Sequence, residues 1–399
     1  MPVKHCSVLV MTDYYVPGYR GGGPIRSLSN LIDRLGEEFN FKVVTRDRDL
    51  GESEPYATIA PDKWQSVGNA EVLYTSPWRL SPYSLQRIIS TAHHDILYLN
   101  SFFSPLFTIS PLVLRRLGLI PEVPTILAPR GEFSSGALNI KPHKKRIYMA
   151  FANSSRLYDD ITWQASSIYE ESDIRLQVGQ RARVKQVRVM AAPDLPSTAL
   201  GTYPAGSKPK STAGVLRVAF LSRVSRKKNL DGALRMMSDL RGIINLNIFG
   251  PIEDQAYWVK CERIIRQLPG NVRVEYRGAL SHDRVSDALS EHDLFLFPTK
   301  GENFGHVILE ALVAGCPVLL SDQTPWRGLE EKGVGWDLPL GQPELFQAAL
   351  QQCVDMDGEA LLAWSRRAHQ YGIRCSQNDD ILRQNRALFL ESLDLKSAR

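Results

Sequence analysis

The residues best suited to chemistry in this sequence are two glutamates, Glu302 and Glu310, at the start of an apolar run. The run is predicted to be a helix, and its first available amides lie at Asn303, Phe304 and Gly305. A helix N-terminus carries partial positive charge and free N–H groups, which favour phosphate or an oxyanion. Glu310 lies among Val, Ile, Leu and Ala, where a carboxylate must be hydrogen-bonded. Either glutamate alone has a simpler structural explanation, but the pair favours a site for an anion and for the vicinal hydroxyls of a ribose.

A basic segment, residues 222–230, is the second candidate. It follows the first strand pattern of the second half of the chain and runs into a helix pattern, so Arg223 and Lys228 are expected on a strand-to-helix loop. Two cations there could neutralise a diphosphate and stabilise it as a leaving group. Taken alone, such a cluster is more often a solvated loop. The predicted proximity to Glu302 favours the functional interpretation.

The third candidate is the glycine-rich turn after the first strand pattern, where Gly22 and Gly23 precede Pro24. Proline suits a first helical turn, and a glycine-rich turn before a helix can hold phosphate on backbone amides. The turn matches neither Gly-x-Gly-x-x-Gly nor a Walker loop. Nicotinamide binding and nucleoside-triphosphate hydrolysis therefore lose support.

Short apolar runs that alternate with helical patterns must position these residues, and they predict parallel sheets covered by helices. The predicted strands of the first half are Ser7–Met11, Phe41–Thr45, Glu71–Thr75, Asp95–Asn100, Thr125–Ala128, Ile161–Ala165 and Val187–Ala191. Those of the second half are Leu216–Leu221, Leu246–Phe249, Val272–Tyr276, Leu294–Phe297 and Pro317–Leu320. The predicted fold class is α/β, with two Rossmann-like domains that face each other across a cleft.

A polar segment rich in Pro and Gly separates the two halves and gives the domain boundaries. Residues 1–195 are predicted to form the first domain, 196–213 a linker and 214–376 the second domain. Residues 377–399 are predicted to form a C-terminal helix that packs back on the first domain. Because ligands of open α/β sheets bind outside the carboxyl ends of the strands, the three candidate segments are expected at one crevice.

Composition limits the function classes. The chain has 399 residues, 43% of them hydrophobic, and a formal charge of +5. This mild charge fits a protein that handles anionic phosphates but gives little support for nucleic acid. Five scattered cysteines without a Cys-x-x-Cys pair indicate reduced thiols in a cytoplasmic protein. No segment approaches the about 20 apolar residues of a membrane helix, and the N-terminal apolar run is predicted to be a strand.

The three segments, in this order, resemble the retaining family 4 glycosyltransferases, which have the two-domain GT-B fold. Glu302 and Glu310 match the Glu-x7-Glu signature of that family, Arg223 and Lys228 match its Arg and Lys pair, and Gly22-Gly23 matches its N-terminal Gly-Gly loop. The resemblance implies that Glu310 holds the donor ribose and that Glu302 faces the transferred sugar. It also implies that the cations and the Phe304–Gly305 backbone bind the diphosphate. The segment that matches the nucleobase-lining strand end comprises Gly278, Ala279 and Leu280.

The same resemblance implies retention of the anomeric configuration by front-face attack, with the departing diphosphate able to take the proton of the acceptor. The chain departs from many relatives at Arg130, which stands where they carry a His. Arginine cannot act as a base near neutral pH. Arg130 is therefore predicted to bind a donor or acceptor anion, and Glu132 to contact the acceptor.

Two further segments carry weaker signals. Asp47-Arg48-Asp49 has the Asp-x-Asp spacing of a metal site, but an acceptor-side loop is the favoured interpretation and no metal or other cofactor is expected. The stretch Lys141 to Arg146 mixes basic and apolar residues. It indicates either the solvated face of an amphipathic helix or a segment that contacts anionic lipid.

The predicted function is therefore a metal-independent, retaining transfer of a hexose-type sugar from a nucleotide-diphosphate sugar. The expected acceptor is a glycan or lipid-linked glycan, in the synthesis of a cell-surface polysaccharide or lipopolysaccharide. The enzyme is expected in the cytoplasm, at the inner face of the membrane if the lipid contact exists. Another GT-B enzyme, such as a nucleotide-sugar epimerase or a phosphorylase, and a non-catalytic nucleotide-sugar binding protein are the alternatives. A nucleic-acid binder has only the mild positive charge in its favour.

Overall fold

The structure, a computed structural model, describes residues 6–134, 138, 142–179, 187–197 and 213–397. The chain divides into two compact units. The first comprises Met1–Leu195 together with Asp379–Arg399, and the second comprises Pro196–Asn378. Most of the predicted linker, residues 198–212, lies outside the described residues.

The first unit is built on an eight-stranded sheet. Its strands are β1 (Cys6–Met11), β2 (Phe39–Arg46), β3 (Trp64–Val67), β4 (Ala70–Thr75), β5 (Ile96–Asn100), β6 (Thr125–Ala128), β7 (Ile161–Ala165) and β8 (Arg188–Ala191). The strand order is β3-β4-β2-β1-β5-β6-β7-β8. All neighbours are parallel except β3 and β4, which are antiparallel. Side chains of β1 and β5 are almost entirely buried because helices cover both faces of the sheet.

The helices of the first unit alternate with these strands along the chain. They are Gly23–Leu35, Pro82–Thr91, Ser110–Arg116, Pro142–Ser154, Ile168–Ile174 and the C-terminal Asp379–Ser397. Helix Gly23–Leu35 buries one stripe that includes Ile25, Leu28 and Ile32, at the spacing of a helix with one apolar face.

The second unit is built on a six-stranded parallel sheet. Its strands are β9 (Val215–Leu221), β10 (Ile243–Phe249), β11 (Val272–Gly278), β12 (Leu294–Phe297), β13 (Val318–Ser321) and β14 (Gly335–Leu338), in the order β11-β10-β9-β12-β13-β14. Its helices are Leu230–Arg235, Gln255–Ile265, His282–Ser290, His306–Val313, Pro343–Asp355 and Gly358–Ser376. The predicted fold class, two Rossmann-like parallel sheets covered by helices, is confirmed.

The strands β3 and β14 were not predicted, and in each case the structure shows why. β3 is half exposed at an antiparallel edge, so it lacks the continuous apolar run of a buried strand. β14 follows a turn and contains Gly335, whose backbone lies so close to Val318 that a Cβ would collide with the carbonyl oxygen. β11, which was predicted as a strand, is largely exposed because it forms the edge of its sheet.

The C-terminal helix belongs to the first unit, as predicted. Phe389 is fully buried, and its ring centroid lies 5.2 Å from that of Phe39, 5.9 Å from that of Phe41 and 5.5 Å from that of Tyr98. Arg386 Nε donates to Glu38 Oε2 over 2.6 Å in the same contact region. The last helix therefore completes the core of the unit that contains the N-terminus. None of the described helices is long and apolar enough to cross a membrane.

We expect Phe389→Ala to lower the free energy of unfolding of the first unit by about 3–5 kcal/mol, because it empties an aromatic cluster that has no solvent access. Urea unfolding followed by circular dichroism measures this. Leu390→Ala is the matched control, since its side chain is 40% exposed on the same helix, and we expect a small change. Equal effects of the two substitutions would contradict the packing described here.

Candidate functional site

In the sheet of the second unit, the direction in which successive strands are added reverses between β9 and β12. From β9 the chain continues outward to β10 and β11 on one side, whereas β12 and β13 lie on the other side. In open α/β sheets, ligands bind outside the carboxyl ends of the strands at such a switch point. The loop after β9, residues 222–229, and the loop after β12, residues 298–305, both lie there. They carry the predicted Arg223, Lys228 and Glu302.

Lys228 and Glu302 meet at this switch point. The ammonium of Lys228 donates to Glu302 Oε1, and each side chain is only 14% exposed. Thr299 Oγ1 donates to the same carboxylate oxygen over 3.1 Å. Lys228 Nζ also lies 5.2 Å from the centre of the Phe297 ring, close enough for a cation–π contact. The structure thus brings together two residues that are 74 positions apart in sequence. Thr299 was missed, and its only sequence signal is its position between the strand and Glu302.

The charge state of Glu302 is set by two opposing effects. Burial raises the pKa of this carboxyl, but the charges of Lys228 and Lys227 and the hydrogen bonds from Lys228 and Thr299 lower it, and the net pKa lies below its ordinary value. Glu302 is therefore a carboxylate across the neutral range. An ionised, partly exposed acid next to an ammonium can accept hydrogen bonds from sugar hydroxyls or stabilise developing positive charge.

Arg223 is on the same loop but has a different partner. Its Nη1 donates to Glu253 Oε1 over 3.2 Å, and both side chains are substantially exposed. The loop itself is fixed to the end of β10, because Ser222 N donates to Phe249 O over 3.0 Å and Val224 N donates to Pro251 O over 2.9 Å. Arg223 can exchange a weak exposed ion pair for a ligand anion at little cost.

The turn that carries Glu302 ends in a left-handed glycine. Gly305 has φ of 77° and precedes helix His306–Val313, and no side chain caps this helix. The positive φ favours glycine, and a Cβ here would also lie 2.6 Å from Ile308 Cδ1, so that side chain would have to move. The predicted backbone donors Asn303, Phe304 and Gly305 lie in this turn.

Glu310 lies one turn further along the same helix. Its Oε2 is enclosed by protein, while the residue as a whole is partly exposed. Gly278, Ala279 and Leu280 lie at the carboxyl end of β11, on the same edge of the sheet, and a Cβ on Gly278 would meet only open space. The predicted roles of these residues toward a donor nucleotide stay predictions.

In the first unit the glycine-rich turn is held by an acid. Gly22 has φ of 75° and immediately precedes helix Gly23–Leu35. Asp49, which is buried, accepts hydrogen bonds from the amides of Tyr19 over 2.8 Å and Arg20 over 3.1 Å. The sequence suggested Asp49 only as one half of Asp-x-Asp, and its role as the anchor of this turn depends on tertiary structure. The other half, Asp47, is buried against the guanidinium of Arg48.

Arg130 forms a buried ion pair with Asp194. Its guanidinium pairs with Asp194 and donates to Tyr98 Oη over 2.7 Å and to Asn100 Oδ1 over 2.8 Å, with 5% of the side chain exposed. The anion beside Arg130 in the structure is thus a carboxylate of the protein, and the ligand anion predicted for Arg130 stays a prediction. Arg130 therefore holds together the strand ends of the first unit.

Glu132 is also tied internally. Its Oε1 accepts from Ser101 Oγ over 2.9 Å, and its Oε2 accepts from the amides of Phe102 and Phe103. Burial is the largest influence and raises the pKa of this carboxyl. The predicted acceptor contact would have to compete with these bonds. Among the described residues, no group of three or more His, Cys, Asp or Glu side chains could hold a metal ion.

The chain is similar to known proteins in sequence and in fold. Residues 208–371 match the model of the family described as Glycosyl transferases group 1. A comparison with curated proteins found no match. The fold is similar to sucrose-phosphate synthase from Thermosynechococcus elongatus, at 15% identity over 99% of this chain and 100% of that chain, with a TM-score of 0.68.

Two further solved structures share the fold. The Anabaena protein HepE in complex with UDP-glucose is 17% identical over 98% of this chain and 100% of that chain, with a TM-score of 0.67. WaaG, a glycosyltransferase involved in lipopolysaccharide biosynthesis, is 14% identical over 96% and 99%, with a TM-score of 0.62. At these identities the likeness shows the fold, which is that of the GT-B glycosyltransferases.

Proposed function

We propose that this chain is a retaining glycosyltransferase of the family 4 type that transfers a hexose-type sugar from a nucleotide-diphosphate sugar. The observation that carries the proposal is the contact of Lys228 with Glu302 at the switch point of the second sheet. An ammonium is suited to a diphosphate and a carboxylate to the sugar attached to it, and the contact holds both where α/β sheets bind ligands. The family model that matches residues 208–371 supports the same reaction class.

In the proposed mechanism, the cations of the loop after β9 stabilise the negative charge of the leaving diphosphate. As the bond between the anomeric carbon and the diphosphate breaks, negative charge develops on the leaving oxygen. Lys228 would shift from Glu302 toward that charge, and Arg223 would exchange its exposed pair with Glu253 for a diphosphate oxygen. Preorganised cations of this kind usually supply the largest part of the rate enhancement. In this proposal they take the role of a metal ion, and neither a cofactor nor a metal is required.

The acceptor hydroxyl would attack from the face that the diphosphate leaves, which retains the anomeric configuration. The departing diphosphate can take the proton of that hydroxyl, so the mechanism needs no protein base. Glu302, held ionised by its neighbours, would stabilise the positive charge on the sugar ring during this step. Glu310 would accept hydrogen bonds from the ribose hydroxyls of the donor.

The decisive experiment incubates the protein with UDP-, GDP- and ADP-hexoses, with excess EDTA and with added Mg²⁺ in parallel. We expect slow hydrolysis of one donor class, at a rate that EDTA does not change, and an NMR-detected first product with the anomeric configuration of the donor. HepE in complex with UDP-glucose makes UDP-glucose the first donor to test. An inverted first product would reject the retaining mechanism, and loss of turnover in EDTA would reject metal independence.

The same assay separates the alternatives. An epimerase would convert the nucleotide sugar without an acceptor and would transfer no sugar to one. The turnover of a phosphorylase would depend on added inorganic phosphate. A non-catalytic binding protein would bind a donor and never turn it over. The presence of two acids, Glu302 and Glu310, together with the cations Arg223 and Lys228 favours an enzyme over a binding protein, because a protein that only binds a nucleotide sugar would not need to stabilise a leaving diphosphate.

A glycan or lipid-linked glycan is the proposed acceptor, in polysaccharide or lipopolysaccharide synthesis, with a peripheral contact to anionic lipid. Residues 133–158 contain no Asp or Glu. Arg146 and the apolar Ile147 and Phe151 are exposed on helix Pro142–Ser154, Ile147 to 71% and Phe151 to 55%. Lys141 lies outside the described residues, as does the side chain of Lys144. Co-sedimentation with phosphatidylglycerol vesicles but not with phosphatidylcholine vesicles is expected, and equal sedimentation with both would reject the lipid contact.

A further inference from the structure

Two neighbouring loops of the second unit are joined by a series of hydrogen bonds that the sequence did not indicate. Ser321 Oγ donates to Thr299 O, and Glu302 N donates to Gln323 O over 2.9 Å. At the end of the series, Trp326 Nε1 donates to Phe304 O over 2.6 Å. The loop after β13 thus fixes the backbone on both sides of Glu302.

The last of these bonds determines which way a peptide plane faces. In a planar trans peptide the carbonyl and the following N–H point in opposite directions. Because the carbonyl of Phe304 is directed at the buried indole of Trp326, the N–H of Gly305 must point away from Trp326. Gly305 is the left-handed residue immediately before helix His306–Val313, so the bond sets the direction of the amide that stands at the start of this helix.

The indole is itself held in place from two sides. Its ring centroid lies 5.8 Å from that of Phe304 and 6.4 Å from that of Tyr371, which belongs to helix Gly358–Ser376. Trp326 N also donates to Thr324 Oγ1 over 3.3 Å. A rigid donor that is packed in this way can fix the turn without contacting a ligand.

We propose that Trp326 is a positioning residue for the donor diphosphate, acting through the carbonyl of Phe304 on the amide of Gly305. This inference rests on the proposed function, since it assigns the diphosphate to the turn 302–305. Loss of the indole N–H leaves the Phe304 carbonyl without this donor and lets the peptide between Phe304 and Gly305 rotate, so the amide is no longer aimed at the phosphates. Recognition of the nucleoside does not depend on this peptide.

The test compares Trp326→Phe, which keeps an aromatic ring and removes the donor, with Trp364→Phe. Trp364 is the matched control because it stacks on Trp336 at 4.6 Å, outside the turn. Calorimetric titrations use UDP, GDP and ADP, each beside uridine, guanosine or adenosine. For the diphosphate that the wild type binds, we expect Trp326→Phe to weaken binding about tenfold, equivalent to about 1.4 kcal/mol, and to leave the nucleoside affinity unchanged.

Hydrogen exchange without ligand gives an independent measurement. We expect faster exchange in a peptide spanning residues 299–306 of Trp326→Phe and no change there in Trp364→Phe. Unchanged exchange, or equal weakening of nucleoside and diphosphate, would overturn the positioning role. If the wild type binds none of the three diphosphates, the proposed function itself is wrong and the inference falls with it, a result that the wild-type titration alone reveals.

Discussion

Replacing Lys228 with alanine is expected to reduce turnover at least about 100-fold, the usual scale for the loss of one charged stabiliser of a transition state. In the structure Lys228 is the ammonium bound to Glu302, and both are largely buried. The substitution removes the cation that would neutralise the leaving diphosphate. It also deprives Glu302 of its closest positive charge. Initial rates of donor hydrolysis and of transfer, at saturating donor, measure the effect on kcat.

The pH dependence of Lys228→Ala gives a second readout with a definite sign. In the wild type the cations and hydrogen bonds lower the pKa of Glu302 against the effect of burial. Without Lys228 the effect of burial gains weight, so the pKa rises and protonation begins at a higher pH. We therefore expect the acidic limb of the kcat profile to move to higher pH in the variant. A limb that stays in place would mean that Glu302 does not act as an ionised group.

Arg226→Ala is the matched control for Lys228→Ala. Arg226 lies on the same loop and carries the same charge, but its side chain is 63% exposed and pairs with Asp254. Exposed ion pairs contribute little, so we expect turnover near that of the wild type. A similar loss in both variants would indicate a general effect of loop charge, and near-normal turnover of Lys228→Ala would remove the proposed site.

Glu310→Ala is the second substitution expected to reduce turnover at least about 100-fold, since a carboxylate that accepts two hydrogen bonds from a ribose is a charged stabiliser of the bound donor. Glu310 lies on helix His306–Val313 with one carboxylate oxygen enclosed by protein. In the proposed function, removal would leave the hydroxyls of the ribose without their acceptor. Steady-state rates as a function of donor concentration separate the effect on KM from that on kcat.

A donor that lacks the 2′-hydroxyl tests the assigned contact directly. If Glu310 binds the ribose, the 2′-deoxy donor should be a much poorer substrate than the normal donor for the wild type. For Glu310→Ala the two donors should be nearly equivalent, because the partner of the hydroxyl is already gone. Glu330→Ala serves as control, since Glu330 is exposed in the same unit. A full penalty for the deoxy donor in Glu310→Ala would assign the ribose to another residue.

Much of the site followed from local sequence, and the parts that did not have a common cause. The loops after β9 and β12 were predicted because apolar strand runs, a glycine at position 305 and charged residues next to a helix start are local signals. The contact of Thr299 with Glu302 and the bond of Trp326 to Phe304 were not predicted. Thr299 acts through a hydrogen bond to Glu302 within its own loop, and Trp326 through one to a backbone atom of another loop. Residue types and spacing alone record neither bond.

Arg130 and Asp49 show what local sequence leaves open. Both are charged residues after strands, which from sequence suggested a ligand anion for one and an acceptor-side loop or a metal for the other. In the structure their charges are matched within the first unit, by Asp194 for Arg130 and by backbone amides for Asp49. Whether a charge after a strand faces a ligand or the protein depends on partners that are distant in sequence.

The sequence by itself determined the alternation of strands and helices, the α/β class, and which loops carry acids, cations and glycines, because these follow from side-chain polarity and backbone preference at neighbouring positions. Only the tertiary structure decided that Lys228 contacts Glu302, that the loop after β13 holds the turn before Gly305, and that the last helix completes the core of the first unit. Those outcomes depend on the order of the strands in each sheet. That order is stabilised by burial and by hydrogen bonds between segments that are far apart in the chain.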